Sequence, residues 1–155
     1  MTKPSPHPSD LKKHIGFWLR FVSNHVSYAF ARKLETSGVT VAEWVILREM
    51  YEARGRTSPS VVADLTGLTR GAVSKLITRL LEKSLVTRQE SGADRRYQDI
   101  ELTKSAVALV PKLAKLADEN DRKFFGVIAK SEQEALKATL QRIATLHRLT
   151  KVPID

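Results

Sequence analysis

Apolar positions recur every three or four residues along most of the chain, which predicts a run of amphipathic helices. Leu11, Ile15, Leu19, Val22, Val26 and Phe30 mark the first, begun by a cap at Ser9 or Asp10, running to about Glu35 and closed by Gly38. Ahead of it Pro4, Pro6 and Pro8 prohibit a helix, so residues 1–8 are expected to be a loose, disordered tail. Thr40-Val41-Ala42-Glu43 is a capping box. There the Thr40 hydroxyl can take the Glu43 amide and the Glu43 carboxylate can reach back. The helix it opens extends to about Ala53, with Trp44, Leu47 and Tyr51 on one side, and Arg54-Gly55-Arg56 breaks it. Ser58-Pro59 starts a short helix to Leu65. Thr66-Gly67-Leu68 is a tight turn, and Thr69 caps a fourth helix to about Lys83 whose inward stripe is Val73, Leu76, Ile77 and Leu80.

The period then changes. Leu85–Gln89 reads as a strand, Ser91-Gly92-Ala93-Asp94 as loop, and Tyr97–Leu102 alternates, with Gln98, Ile100 and Leu102 on one side. Together they predict a hairpin. Thr103 caps a long helical stretch to about Ala129, about 27 residues or ~40 Å, in which Pro111 is expected to make a kink. Ser131-Glu132-Gln133-Glu134 reads as a second capping box, before a last helix carrying Leu136, Leu140, Ile143, Leu146 and Leu149. The fold class is mainly α with a small β-hairpin wing. Helix, helix, glycine turn, helix and hairpin give a winged helix-turn-helix over residues 38–103, flanked by a helical region from residues 9–37 and 104–155.

Composition narrows the chemistry. With 155 residues the chain suits one domain. The absence of cysteine excludes a disulfide framework, a thiolate zinc site and a thiol nucleophile or redox sensor. Lys and Arg number 26 against 17 Asp and Glu, a net charge of +9, which calls for a polyanionic partner such as nucleic acid or an anionic membrane surface. The stretch Ile15–Val22 is interrupted by Arg20, too short to span a membrane and unlike a secretory signal, so a cytoplasmic location is expected and no membrane partner.

The second helix of a helix-turn-helix enters the major groove. On the fourth helix Gly71, Ser74, Lys75, Thr78, Arg79 and Glu82 form the stripe opposite the apolar one, with Thr69 and Arg70 at its start. Arg and Lys can bond guanine edges, and Ser and Thr can bond phosphates or bases. Taken alone, the face reads as a solvated surface, as most polar helix faces do. Its placement, after a glycine turn and before a hairpin bearing Arg95-Arg96 at the tip, favours double-stranded DNA, since a protruding arginine can enter a narrow minor groove.

Asp94-Arg95-Arg96, five residues, then Leu102-Thr103 resembles the wing signature of MarR-type transcriptional regulators. Leu65–Ser74 is similar to that family's helix-turn-helix, and Leu80–Arg88 to its exit into the wing, except that Ser84 stands where the family often has glycine. That departure predicts a less sharply capped helix end. The resemblance covers nearly all of the chain beyond the proline tail. It implies a homodimer built from the first helix and the two C-terminal helices, which makes 9–37 and 104–155 a dimerisation region. It further implies that Ser74, Lys75, Thr78 and Arg79 face the major groove, that Arg96 enters the minor groove, and that Asp94 orients the wing loop. A twofold dimer would meet sites one helical turn apart, ~34 Å, so the operator is expected to be an inverted repeat. The family implies a bacterial, nucleoid-associated regulator, a repressor role, and release by a small aromatic acid. Independently, the apolar stripe of the last helix needs a cover, from a second copy or from its own chain.

His14, Trp18, Phe21 and His25 share one face of the first helix, and Trp44 could approach them. Such a group describes either a pocket for an aromatic effector or an ordinary core. Arg20 or Arg48 could pair its carboxylate, and the spacing does not choose between them. His14 and His25 lie too far apart for a two-histidine metal site, so neither a metal nor a cofactor is expected. No nucleophile elbow, P-loop or dinucleotide fingerprint occurs, so no enzyme is expected. Two rival readings are a winged-helix architectural factor without a ligand and a winged-helix protein-interaction module.

Overall fold

The computed structural model describes residues 7–90 and 98–154. A 3₁₀ turn, Leu11–Lys13, precedes α1 (Ile15–Glu35), and α2 (Val41–Ala53), α3 (Pro59–Thr66) and α4 (Arg70–Glu82) follow. Then come the antiparallel strands β1 (Val86–Glu90) and β2 (Gln98–Leu102), α5 (Lys104–Phe125) and α6 (Lys130–Leu146). Register pairs Val86 with Leu102 and Arg88 with Ile100. Thr57 adds an isolated bridge to the far side of β2, exchanging both backbone bonds with Ile100 at 2.8 and 3.0 Å.

Local chemistry sets these boundaries. The Thr40–Glu43 capping box forms with both of its bonds, and the Ser58, Thr69 and Thr103 hydroxyls each accept the amide three residues on. Four boundaries differ from the sequence reading. Asp10 caps the 3₁₀ turn instead of an α-helix, and extended backbone at His14 delays α1 to Ile15. α5 runs through Pro111 but stops at Phe125, where Gly126 takes the C-cap, so it has 22 residues and a length of about 33 Å. α6 starts from Ala129 and not Ser131. Only half a box forms there, the Glu132 carboxylate accepting the Ala129 N–H at 2.9 Å, because alanine has no oxygen to return. Leu149 lies beyond α6, whose end is turned by Arg148 at φ 52°.

The end of α4 corrects a further expectation. Ser84 adopts φ 56°, its N–H donates to Leu81 O at 3.0 Å, and the Leu85 N–H donates to Leu80 O at 2.9 Å. That is a complete Schellman stop without glycine. The left-handed serine costs about 1 kcal/mol. Burial of Leu85 and the bond from the Thr103 hydroxyl to Ser84 O (2.9 Å) offset it.

One hydrophobic core joins α2, α3, α4 and the hairpin to the first turns of α5 and the end of α1. It is built from Ile46, Leu47, Met50, Val62, Val73, Ile77, Leu80, Ile100, Val110 and Leu113, with Leu34 from α1. We refer to α2 through β2 as the lobe. The remainder, α1, most of α5 and α6, forms the arm. Among the described residues α1 buries only Leu34, and α6 buries none. Inside the arm, buried Asn120 of α5 ties α1 down, accepting from Lys33 Nζ at 2.9 Å and donating to Val26 O at 3.1 Å.

Candidate nucleic-acid interface

α4 is seated from three sides. Thr66, buried at the end of α3, donates its hydroxyl to Val62 O at 2.8 Å, and Gly67 takes φ 66° to reverse the chain. The Thr69 hydroxyl then accepts the Ala72 N–H at 3.2 Å. At the other end Lys83 reaches back across the lobe. Its ammonium donates to both Glu43 carboxylate oxygens (2.9 and 2.7 Å) and to Gly38 O (2.7 Å). Glu43 is 1% exposed, so a single carboxylate both caps α2 and anchors the end of α4. This pair is missing from the sequence reading, which saw Glu43 only as a cap. Its partner lies 40 residues away, and no local pattern signals it.

The consequence is a helix anchored at both ends with one face open. Val73, Leu76, Ile77 and Leu80 are buried, whereas Thr69, Arg70, Gly71, Ser74, Lys75, Thr78 and Arg79 are all exposed. A β-carbon on Gly71 would meet nothing within 4 Å, so the flank is open to close approach. The Thr78 hydroxyl donates to Ser74 O at 3.0 Å, which leaves its oxygen as an acceptor. Arg70 occupies the first turn, where the helix dipole disfavours a cation, and no acid accompanies it there. Among the described residues no ion pair engages Arg70, Lys75 or Arg79. Such a surface supplies cations and hydroxyls for an anionic ligand at little cost in broken internal bonds.

The remaining site residues separate into groups. Asp94, Arg95 and Arg96 lie outside the described residues, although the strands on either side of them pair in full register. On α1 the rings of Phe17, Trp18, Phe21 and His25 touch in a run with centroids 4.8–6.1 Å apart, Phe17 stacked on Phe21, Trp18 edge-on to both and His25 tilted against Phe21. Trp18 and Phe21 are about half exposed, so within one chain they do not form a core. Their polar atoms serve local structure: Trp18 Nε1 donates to Lys12 O at 2.8 Å, and His25 Nδ1 lies 2.8 Å from Phe21 O. His14 sits between Leu11 O and the Ser9 hydroxyl. Trp44 does not join this stripe; its ring packs edge-on against Phe30, beside the core. A shallow hollow on α1 is lined by His14, Phe17, Arg20 and Phe21, which leaves out Trp18, His25 and Trp44. Arg48 is engaged by Glu52 at 2.5 Å.

Residues 37–96 match the family model described as the MarR family. Among solved structures, the chain is similar to BpsR of Bordetella bronchiseptica, described with a mechanism for regulation of its DNA binding by 6-hydroxynicotinic acid. That match has 25% identity and a TM-score of 0.76, over 89% of this chain and 98% of that one. CouR of Rhodococcus jostii RHA1, bound to p-coumaroyl-CoA, matches at 26% identity and a TM-score of 0.74, over 88% and 96%. MepR of S. aureus, solved as a DNA complex, shares the fold at 24% identity and a TM-score of 0.76, over 85% and 97%. Among the described residues no helix is long and apolar enough to cross a membrane.

Proposed function

We propose that this chain, whose residues 37–96 match the MarR family model, regulates transcription as a homodimer that binds an inverted-repeat operator and lets go when a small aromatic acid binds. The observation that carries the DNA half is the exposed face of α4, whose cations make no ion pair among the described residues and whose ends are anchored by the turn at Gly67 and the Glu43–Lys83 pair. Ser74, Lys75, Thr78 and Arg79 lie in the major groove, Thr69 and Arg70 hold phosphates at the helix start, and Arg95 and Arg96 of the wing reach the minor groove, with Asp94 orienting that loop. A second copy covers the open apolar faces of α1 and α6, so that two α4 helices present themselves to DNA together.

BpsR and CouR, both described with an organic ligand, support the effector half. The hollow on α1 suits it: Phe17 and Phe21 offer ring faces, and Arg20 offers a cation for a carboxylate. Repression follows if the free dimer holds its two α4 helices at operator spacing. The effector then favours a dimer with altered spacing, which requires tighter binding to that state.

Fluorescence-anisotropy titration tests this, using duplexes from the DNA beside the protein's own gene, a scrambled control and a salt series. Preference for one inverted repeat, with affinity falling steeply as salt rises, is the expected result. Equal, salt-sensitive binding to both duplexes would replace this reading with an architectural factor, and no binding at low salt with a protein-interaction module. Arg79→Ala is expected to cost about 1–3 kcal/mol at one base position where it reads a guanine, and to weaken all duplexes alike where it holds phosphate.

A further inference from the structure

α6 is fastened to its own chain at its two ends. At the first, Gln133 Nε2 donates to Phe125 O and Ile128 O at 2.9 and 3.1 Å, tying α6 to the end of α5. At the second, the left-handed Arg148 lets its own N–H reach Thr145 O (3.1 Å) and the Leu149 N–H reach Ala144 O (2.9 Å). This stop redirects the last residues onto the lobe.

There they meet the turn that leads into α4. The Val152 N–H donates to Thr66 O at 2.9 Å, satisfying one of the carbonyls that the end of α3 leaves without a helical partner. Val152 and Ile154 are half-buried while Lys151 and Pro153 are exposed, the alternation of an extended segment. Ile154 packs against the lobe core. A β-carbon on Gly67 would stand 2.8 Å from Thr150 O and 2.9 Å from Lys151 Cα. Glycine therefore serves two ends here, the left-handed turn and the close approach of the tail. Thr69 and Arg70, which open α4, follow within three residues of Gly67.

We propose that the segment Thr150–Ile154 is a strap that seats the recognition helix, with Val152 and Ile154 as positioning residues acting through Thr66 and Gly67. A force on α6 from whatever packs on its open face is delivered by the strap to the residues that start α4. The strap itself rests only on the contacts above. Its bearing on DNA affinity rests on the function proposed for α4.

The test uses the full-length protein in two variants. Val152→Pro removes the donated N–H, and Ile154→Asp removes the apolar anchor. Hydrogen exchange is followed at the amides from Leu68 to Val73 and, as a control, in β1 and β2. Sedimentation reports the oligomeric state, and duplex affinity is measured by anisotropy. Both variants are expected to exchange about tenfold faster at Leu68–Val73 while β1 and β2 stay unchanged. Sedimentation is expected to stay the same and duplex affinity to fall severalfold, with Ile154→Val restoring parental behaviour in both readouts. Unchanged exchange at the turn overturns the strap, as does a rise shared equally by β1 and β2, which marks general destabilisation. Faster exchange at the turn with unaltered duplex affinity overturns the positioning role. If the parent protein binds no duplex, the DNA reading fails by itself, and the exchange data alone decide the strap.

Discussion

α4 and α6 carry apolar stripes of the same helical spacing and end in opposite conditions. In α4, Val73, Leu76, Ile77 and Leu80 are closed in by α2, α3 and β1. In α6, Leu136, Leu140 and Ile143 remain 38–45% exposed, with Asp121 and Phe125 of α5 only flanking a hollow beside Leu136 and Leu140. Periodicity states that a face needs covering. It does not state by what, because that depends on where the rest of the chain, or another chain, is placed. The lobe answers from within, and the arm leaves its half of the contact open.

The contrast can be broken from the lobe side first. Ile77→Ala opens a cavity in a completely enclosed site, so it is expected to cost about 3 kcal/mol in urea unfolding, with the same loss at every protein concentration. A loss that shrinks as the protein is concentrated would show that the lobe, too, depends on association. A second test touches the anchor of α4. Lys83→Met leaves the Glu43 carboxylate, 1% exposed, without its cation, while Lys83 itself is 38% exposed and water compensates part of the effect. About 2 kcal/mol of destabilisation is expected by thermal melting. Adding Glu43→Gln is expected to recover part of it, since a neutral amide is cheaper to bury than an unpaired charge. The smallest effect belongs to the arm. Leu140→Ala is expected to weaken dimerisation by about 1 kcal/mol, roughly fivefold in dissociation constant by sedimentation equilibrium. The unfolding of the dilute monomer should not change. A shift in that unfolding would place Leu140 in the chain's own packing and remove the contrast.

These differences also explain what was legible. Caps span three residues, so Thr40–Glu43, Ser58, Thr69 and Thr103 could be read from the sequence, and with them the order of helices and hairpin. The exposed face of α4 could be read as well, as the complement of its buried stripe. Glu43–Lys83 and Val152–Thr66 could not, because their partners meet only after the chain has folded. Ser84 shows the same limit from the other direction. A glycine rule predicted a weak helix end, but tertiary bonds from Thr103 and the burial of Leu85 hold serine in the left-handed region. On α1 Trp18, Phe21 and His25 do touch in a run, whereas His14 stands in extended backbone ahead of the helix and Trp44 packs on Phe30. Spacing along one helix cannot fix contacts with the next.

Thr57 has an effect well beyond its single pair of bonds. By occupying both backbone groups of Ile100 it blocks the middle of the outer margin of β2, where a foreign strand would have to pair. The other margin, β1, is only five residues long and displays Thr87, Arg88 and Gln89 to water. A short, polar margin bearing an arginine is a poor template for another strand. Two copies brought side by side on a polyanion would therefore find little open strand margin in these residues to share.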